Sequence, residues 1–286
     1  MRHRPRLSVP ALAAIAVLGS LLASCEAAEH AQGVIHDQHA PRITALVHDD
    51  LMRAEAGLTA ASTRLGRGFV VEDPAERATQ MRTALRLLTE PPRGIPELMI
   101  SPMTFVAVAG ADGIVICRDR EPDPMAGQNV AEMFPHVRRA LTEGVATRAL
   151  VEWPGLVPTE PPVIIMVHAV PTYYQGRIAG VVLGGTPLWR TAQRLTRQLQ
   201  AETADEGGTI MWVYLYRGDA LHHRGTPADL DTIVPNAAAR AAGFAASPGG
   251  FTGQEAQFGR WYAYGVVPLP ELGDDVGFIV WRSDPV

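Results

Sequence analysis

Two runs rich in β-branched residues, Val163 to Val170 and Ile178 to Leu183, flank a short polar turn carrying Gln175 and Gly176, a pattern that predicts an antiparallel hairpin. The chain repeats the pattern from Arg260 to Pro285, where Pro268 and Gly277 match Pro171 and Gly180 at equal spacing. A further strand pair with a tight turn precedes each hairpin. In the first half it is TFVAVAGADGIVICRD, turning at Asp112-Gly113, and in the second TIMWVYLYRGDALHHRG, turning at Gly218-Asp219. Residues 128–144 and 226–247 read as helical or irregular crossings between the pairs. The repeated order is strand, strand, crossing, hairpin, and it predicts two related antiparallel modules.

Helical spacing appears before and between them. Ile43, Leu46, Val47, Leu51, Ala54, Leu58, Ala61 and Leu65 form one apolar stripe, which predicts a helix of about 25 residues, roughly 38 Å long, ending at Gly66 and Gly68. Asp73, Pro74 and Glu76 supply a cap, a first-turn proline and a capping-box acid for a second helix. That helix is expected to bury Met81, Ala84, Leu85 and Leu88 and to stop at Pro91-Pro92. Between the modules Thr186 is read as a cap and Pro187 as the start of a linker helix with Leu188, Ala192, Leu195 and Leu199 on one face, ending before Gly207-Gly208.

The first residues carry different information. Arg2, Arg4 and Arg6 precede an apolar run from Leu7 to Leu22 and then Leu22-Ala23-Ser24-Cys25, the marks of a secretory leader. The run is too short and too abruptly ended for a membrane span. Leu-Ala-Ser-Cys resembles the lipobox of bacterial lipoproteins, which implies a signal peptide over 1–24 and lipidation of Cys25. The segment 25–40 is then read as a polar tether holding the folded part off the membrane. It contains His30, His36 and His39, but no cysteine or placed carboxylate completes a metal site there, so no metal is expected.

At 47% hydrophobic residues and a mean hydropathy of +0.04, the chain has material for a sizeable core. Its net charge of −5 becomes −8 without the three leader arginines, which argues against a nucleic-acid partner. Every basic residue is Arg, a genome-wide composition bias and not a binding patch. With Cys25 acylated, Cys117 is alone, so there is no disulfide framework; in the run VICRD it reads as a small buried hydrophobe. The chain has no G-x-S-x-G, H-E-x-x-H, P-loop, dinucleotide fingerprint or C-x-x-C-H, and no catalytic set or cofactor is expected.

The long helix, the second helix, and then FVAVAGADGIVICRD, GQNVAEMFPHVRRALTEG and VIIMVHAVPTYYQGRIAGVVLGG together resemble the PAS-like Cache domains of bacterial extracytoplasmic sensors, and the repeat makes the chain similar to a double Cache. The resemblance implies an α+β fold, a long N-terminal helix followed by two antiparallel-sheet modules. Its divisions are a helical segment over 41–99, a membrane-distal module over 100–187, a linker helix over 188–208 and a second module over 209–286. It also implies a small-molecule ligand in the first module. The amino-acid-binding branch has an Arg, Trp and Tyr cluster after the first hairpin. Residues 128–144 contain no Trp or Tyr, and Arg260-Trp261-Tyr262 falls on a strand of the second module, so that assignment is not carried over.

Strand alternation sets Ile164, Met166 and His168 on one face, which makes His168 a candidate ligand-binding residue; the ordinary reading of a lone His in an apolar strand is a hydrogen-bonded core residue. Arg118 and Trp153 are candidates to flank the same opening; their ordinary readings are a surface arginine and a packing tryptophan. His222-His223 point opposite ways on a strand and do not chelate together. Trp212, Tyr214, Tyr216, Trp261, Tyr262 and Tyr264 are expected to fill the second sheet's face. The function expected is that of a lipid-anchored, extracytoplasmic small-molecule-binding protein, attached to a membrane only through its lipid. The alternative is a ligand-free structural lipoprotein with an envelope protein partner.

Overall fold

The computed structural model describes residues 26–154, 162–226, 228–257 and 260–285; the leader and Cys25 lie outside them. The chain divides into two compact units. One comprises residues 45–191 with 271–273, and the other the described residues up to 44 with 192–270 and 274–285.

Helix begins earlier than the sequence pattern suggests. Residues 26–34 are helical, a π-helical turn covers Ile35–His39, and α1 follows over Ala40–Leu65. The segment read as a polar tether is therefore ordered helix, with Ala28, Ala31, Ile35 and His39 buried. Small apolar residues three and four apart form the inward stripe, and the surrounding Glu, Gln and His residues disguise it. After a 3-10 turn at Gly66–Val70, α2 runs over Pro74–Thr89, where the Asp73 carboxylate accepts from the Glu76 amide at 2.7 Å as the capping pattern requires. A short α3 spans Pro96–Ile100.

The first sheet has strands β1 Phe105–Gly110, β2 Val115–Arg118, β3 Thr147–Trp153, β4 Val163–Tyr174 and β5 Arg177–Pro187, in the order β2-β1-β5-β4-β3, with every neighbouring pair antiparallel. Helices α4, Val130–Met133, and α5, Pro135–Glu143, occupy the crossing. The central hairpin is longer than its apolar runs. Gln175 and Gly176 both adopt left-handed φ, 50° and 77°, the two-residue turn whose twist matches that of paired strands, so pairing extends to the turn. Pairing also continues through Pro187, so the following helix, α6 over Leu188–Glu202, starts after the proline and stops short of the expected Gly207-Gly208.

The second sheet repeats the order as β7-β6-β10-β9-β8, from β6 Ile210–Arg217, β7 Ala220–His222, β8 Phe251–Gln257, β9 Arg260–Pro268 and β10 Val276–Ser283, with α7 over Ala237–Ala246 in its crossing. The sequence repeat is thus a topological one. Its register slips by one residue: Gly277 pairs with Pro268, whereas Gly180 pairs with Thr172 beside an irregularity at Thr172/Tyr173. Strands β3 and β8 were not anticipated, because neither alternates cleanly.

The first sheet is packed on both faces. On one, Phe105, Ala107, Val167, Ala169 and Leu183 meet Phe134, Val137 and Ala140 of the crossing. On the other, Val106, Val108, Cys117, Val170 and Val182 meet Leu58, Ala61 and Leu65 of α1 and Met81 and Leu85 of α2. In the second sheet Tyr214, Tyr262 and Trp281 are buried in one aromatic cluster, with Tyr264 5.2 Å and Tyr262 6.0 Å from Trp281 between ring centroids.

A buried polar cluster closes that second unit. The Arg282 side chain is 3% exposed; its Nε donates to Asp284 Oδ1 at 2.7 Å, one Nη to Glu206, and the other to His39 Nε2 at 2.8 Å. A guanidinium only donates, so His39 accepts through Nε2 and is neutral. Burial, with Arg282 adding to it, pushes the His39 pKa down to about 4. Removing the guanidinium strands the buried Asp284 carboxylate, so Arg282→Ala is expected to lower stability by about 3–5 kcal/mol in urea unfolding, and Arg282→Met, which keeps the packing volume, by less. A loss below about 1 kcal/mol for the alanine variant contradicts this role for the cluster.

Candidate functional site

Register decides which predicted residues can meet. Arg118 pairs with Ala107, Phe105 with Gly185 and Trp153 with Val163, and paired residues share a sheet face. Arg118, Phe105, Trp153, Val163 and Ile165 therefore lie on the α4–α5 face, where with Thr104, Met125 and Trp189 they line a cavity of about 240 Å3. His168 pairs with Arg148 and Gly184, and lies on the α1 face. Contrary to the expectation from the sequence, the three candidates do not share one opening. Arg118 and Trp153 come together, and His168 is on the other side of the sheet because its parity along β4 is opposite to that of Val163.

The walls of the cavity follow from local chemistry. Trp153 is buried, with its ring 5.5 Å from Phe105 and 4.9 Å from Phe134. Asp123 closes the loop after β2 by accepting from the amides of Arg118, Met125 and Ala126 at 2.8–3.1 Å while Arg82 pairs with it at 3.1 Å. Arg118 is thereby drawn inward, its side chain only 11% exposed. Its guanidinium is poorly satisfied: Nη2 reaches the Thr104 carbonyl at 3.4 Å, and Nε stands 3.7 Å from Asp119 with no hydrogen bond. Asp119 is already engaged by Arg120 at 3.0 Å and by the Val106 amide at 3.3 Å. Arg118 is thus an under-satisfied cation in the wall of an otherwise apolar, aromatic cavity.

His168 has a different environment. It is 3% exposed, its Nδ1 has no hydrogen-bond partner, and it borders a cavity of about 30 Å3 with Asp50, Ser101 and Thr191, large enough for a water but not for a metabolite. Burial first, then Arg148 and His136, push its pKa down to about 4. Met166 joins it on that face, as the alternation predicts.

A larger groove of about 540 Å3 lies beside the Asp112-Gly113 turn. Its charged residues are occupied locally: Arg77 donates to the carbonyls of Val71 and Glu72, and Asp112 accepts from the Ile114 amide. Cys117 is fully buried and its thiol is pushed up to about 12 by desolvation, which suits a packing residue. His223 contacts Asp231 at 3.0 Å while the Nε2 of His222 has no partner, so the two do not act on a common group. Arg260 is tied to Ser283 at 3.1 Å and Tyr262 packs on Trp281. Among the described residues no three His, Cys, Asp or Glu side chains are placed to hold a metal ion.

No protein-family model and no curated protein matches the chain. Solved structures do. The sensory domain of the Campylobacter jejuni chemoreceptor Tlp3 with isoleucine bound aligns at 11% identity and a TM-score of 0.52, covering 88% of this chain and 93% of that one. The Vibrio cholerae histidine kinase DctB sensor domain aligns at 14% and 0.51, covering 88% and 96%. The Tlp3 ligand-binding domain in complex with 4-methylisoleucine gives 10% and 0.51, covering 88% and 91%. These are Cache-type sensor domains, and the fold of this chain is the double Cache fold.

The buried imidazoles give a pH dependence. His39, His136 and His168 have folded pKa values of about 4 against an ordinary 6.5. Between those values the unfolded chain binds protons that the folded chain does not, so stability falls as pH drops from about 6.5 to 4, by up to about 3 kcal/mol per histidine, and is insensitive to them above that window. Urea unfolding across the window should show a shallower decline for His168→Gln than for the parent; equal slopes contradict the buried neutral state of His168.

Proposed function

We propose that this chain is a lipid-anchored, extracytoplasmic, sensor-type protein that binds a small molecule in its first module and is not an enzyme. The observation that carries the reading is the 240 Å3 cavity on the α4–α5 face, with Arg118 and Trp153 in its wall and a guanidinium that the protein itself leaves short of acceptors. Among the sensor domains that share the fold, that of Tlp3 binds isoleucine and 4-methylisoleucine. The Arg118 and Trp153 candidates fit this role together. His168 serves the packing of the opposite face instead. The anchor rests on the leader and on Leu22-Ala23-Ser24-Cys25. No helix among the described residues is long and apolar enough to cross a membrane. The alternative, a ligand-free lipoprotein that meets an envelope partner, draws on the second module, whose aromatic face is filled by its own rings.

Two experiments test the reading. Cys25→Ser should move the protein from the membrane to the soluble extracytoplasmic fraction; retention after a high-salt wash removes the lipid anchor from the account. A thermal-shift screen of the Cys25→Ser chain against small metabolites should find a ligand that stabilises it by about 2.7 kcal/mol at a hundredfold excess over Kd. Arg118→Gln, or Val163→Phe filling the half-buried rim, should abolish that shift. A shift untouched by both variants places binding elsewhere, and a screen without hits favours the ligand-free alternative.

A further inference from the structure

Resting on the binding reading above, we infer that the cavity selects an apolar monocarboxylate and discriminates against the zwitterionic amino acid of the same shape. The cavity supplies one charged group, Arg118, and otherwise Phe105, Met125, Trp153, Val163, Ile165 and Trp189 with proline and threonine. One guanidinium fork matches one carboxylate in charge and in bidentate geometry. Among the described lining residues a ligand ammonium has no counterpart. They include no Asp or Glu, and the nearby acids are already engaged: Asp119 by Arg120, the Val106 amide and the Arg118 guanidinium at 3.7 Å, Asp123 by Arg82 and three backbone amides. Placing an unpaired ammonium against apolar walls and beside a guanidinium costs more than the remaining contacts return.

The same bookkeeping excludes a dianion. A phosphate monoester brings a second negative charge with no second cation among the described lining residues to meet it, and Asp119, 3.7 Å from the Arg118 Nε, already offsets part of the one present. The cavity volume of about 240 Å3 lies below the ~300–1,000 Å3 of drug-sized ligand sites, so the body of the ligand is small. The ring edges of Phe105 and Trp153 favour a flat or branched apolar body.

The test is calorimetric titration of the full chain carrying Cys25→Ser with four probes of one shape: 3-phenylpropionate, L-phenylalanine, 3-phenylpropionamide and 2-phenylethyl phosphate. The carboxylate should bind at least tenfold more tightly than each of the others, and Arg118→Gln should remove that preference. Phenylalanine binding as tightly as phenylpropionate overturns the monoanion inference while leaving the cavity as the site, and so does equal binding of the amide or the phosphate. Failure of all four to bind also overturns it. If a probe binds with undiminished affinity to both Arg118→Gln and Val163→Phe, the site assignment itself fails. Should Arg118→Gln unfold, Val163→Phe, which leaves the ion pairs intact, supplies the comparison.

Discussion

The first module depends on a close approach across its central strand. β5 carries glycine where side chains from both faces need the space: a Cβ on Gly185 would stand 2.3 Å from the Phe105 ring, and one on Gly180 would meet Phe69 at 2.3 Å and the Ala109 carbonyl at 2.4 Å. Neither contact is tolerable. With glycine present, the Phe105 ring packs against the strand at Gly185 and meets Trp153 in a T-shaped contact, and that pair forms one wall of the cavity. The volume of the cavity thus depends on a backbone position, Gly185, that does not itself line it. Substituting Gly185 would push Phe105 outward, into the cavity or out of the core.

Against that packing, the Arg118 charge is an exception the fold accommodates without fully satisfying. Other buried ions among the described residues are well paired, as Arg282 is by Asp284, Glu206 and His39, and Asp123 is by Arg82 and three amides. Arg118 has one long hydrogen bond and one long ionic contact. Such a group raises the energy of the empty protein, and a ligand that completes it returns part of that energy as affinity. The second module shares the strand order but spends its face differently: Trp281, Tyr262 and Tyr264 pack on one another, and its polar cluster is closed by its own residues.

Much of the fold was legible because its signals are local. The α1 stripe, the Asp73 cap, the Gln175-Gly176 and Asp112-Gly113 turns and the repeated strand order each arise within a few residues, and each corresponds to the observed element. The misses have a different cause. Helix over 26–34 was hidden because alanine makes a weak apolar stripe, and β3 and β8 because edge strands need not alternate. The site was half legible. Strand alternation and polar groups among apolar ones pointed to Arg118, Trp153 and His168, but whether two of them share a face depends on register between strands that are distant in sequence, and a shift of one residue reverses the answer. The Arg282 cluster was missed because its partners come from three separate segments around residues 39, 206 and 284.

The central claim is that a small ligand enters the first module on the face that carries Arg118. The chain contains five tryptophans, Trp153, Trp189, Trp212, Trp261 and Trp281, of which Trp153 and Trp189 line the cavity. Their indole N–H resonances, assigned in 15N-tryptophan-labelled protein by single substitution, report on each position separately during a titration with 3-phenylpropionate. The account predicts saturable shifts of Trp153 and Trp189 with Trp212, Trp261 and Trp281 unmoved; shifts confined to the latter three, or none at saturating ligand, contradict it.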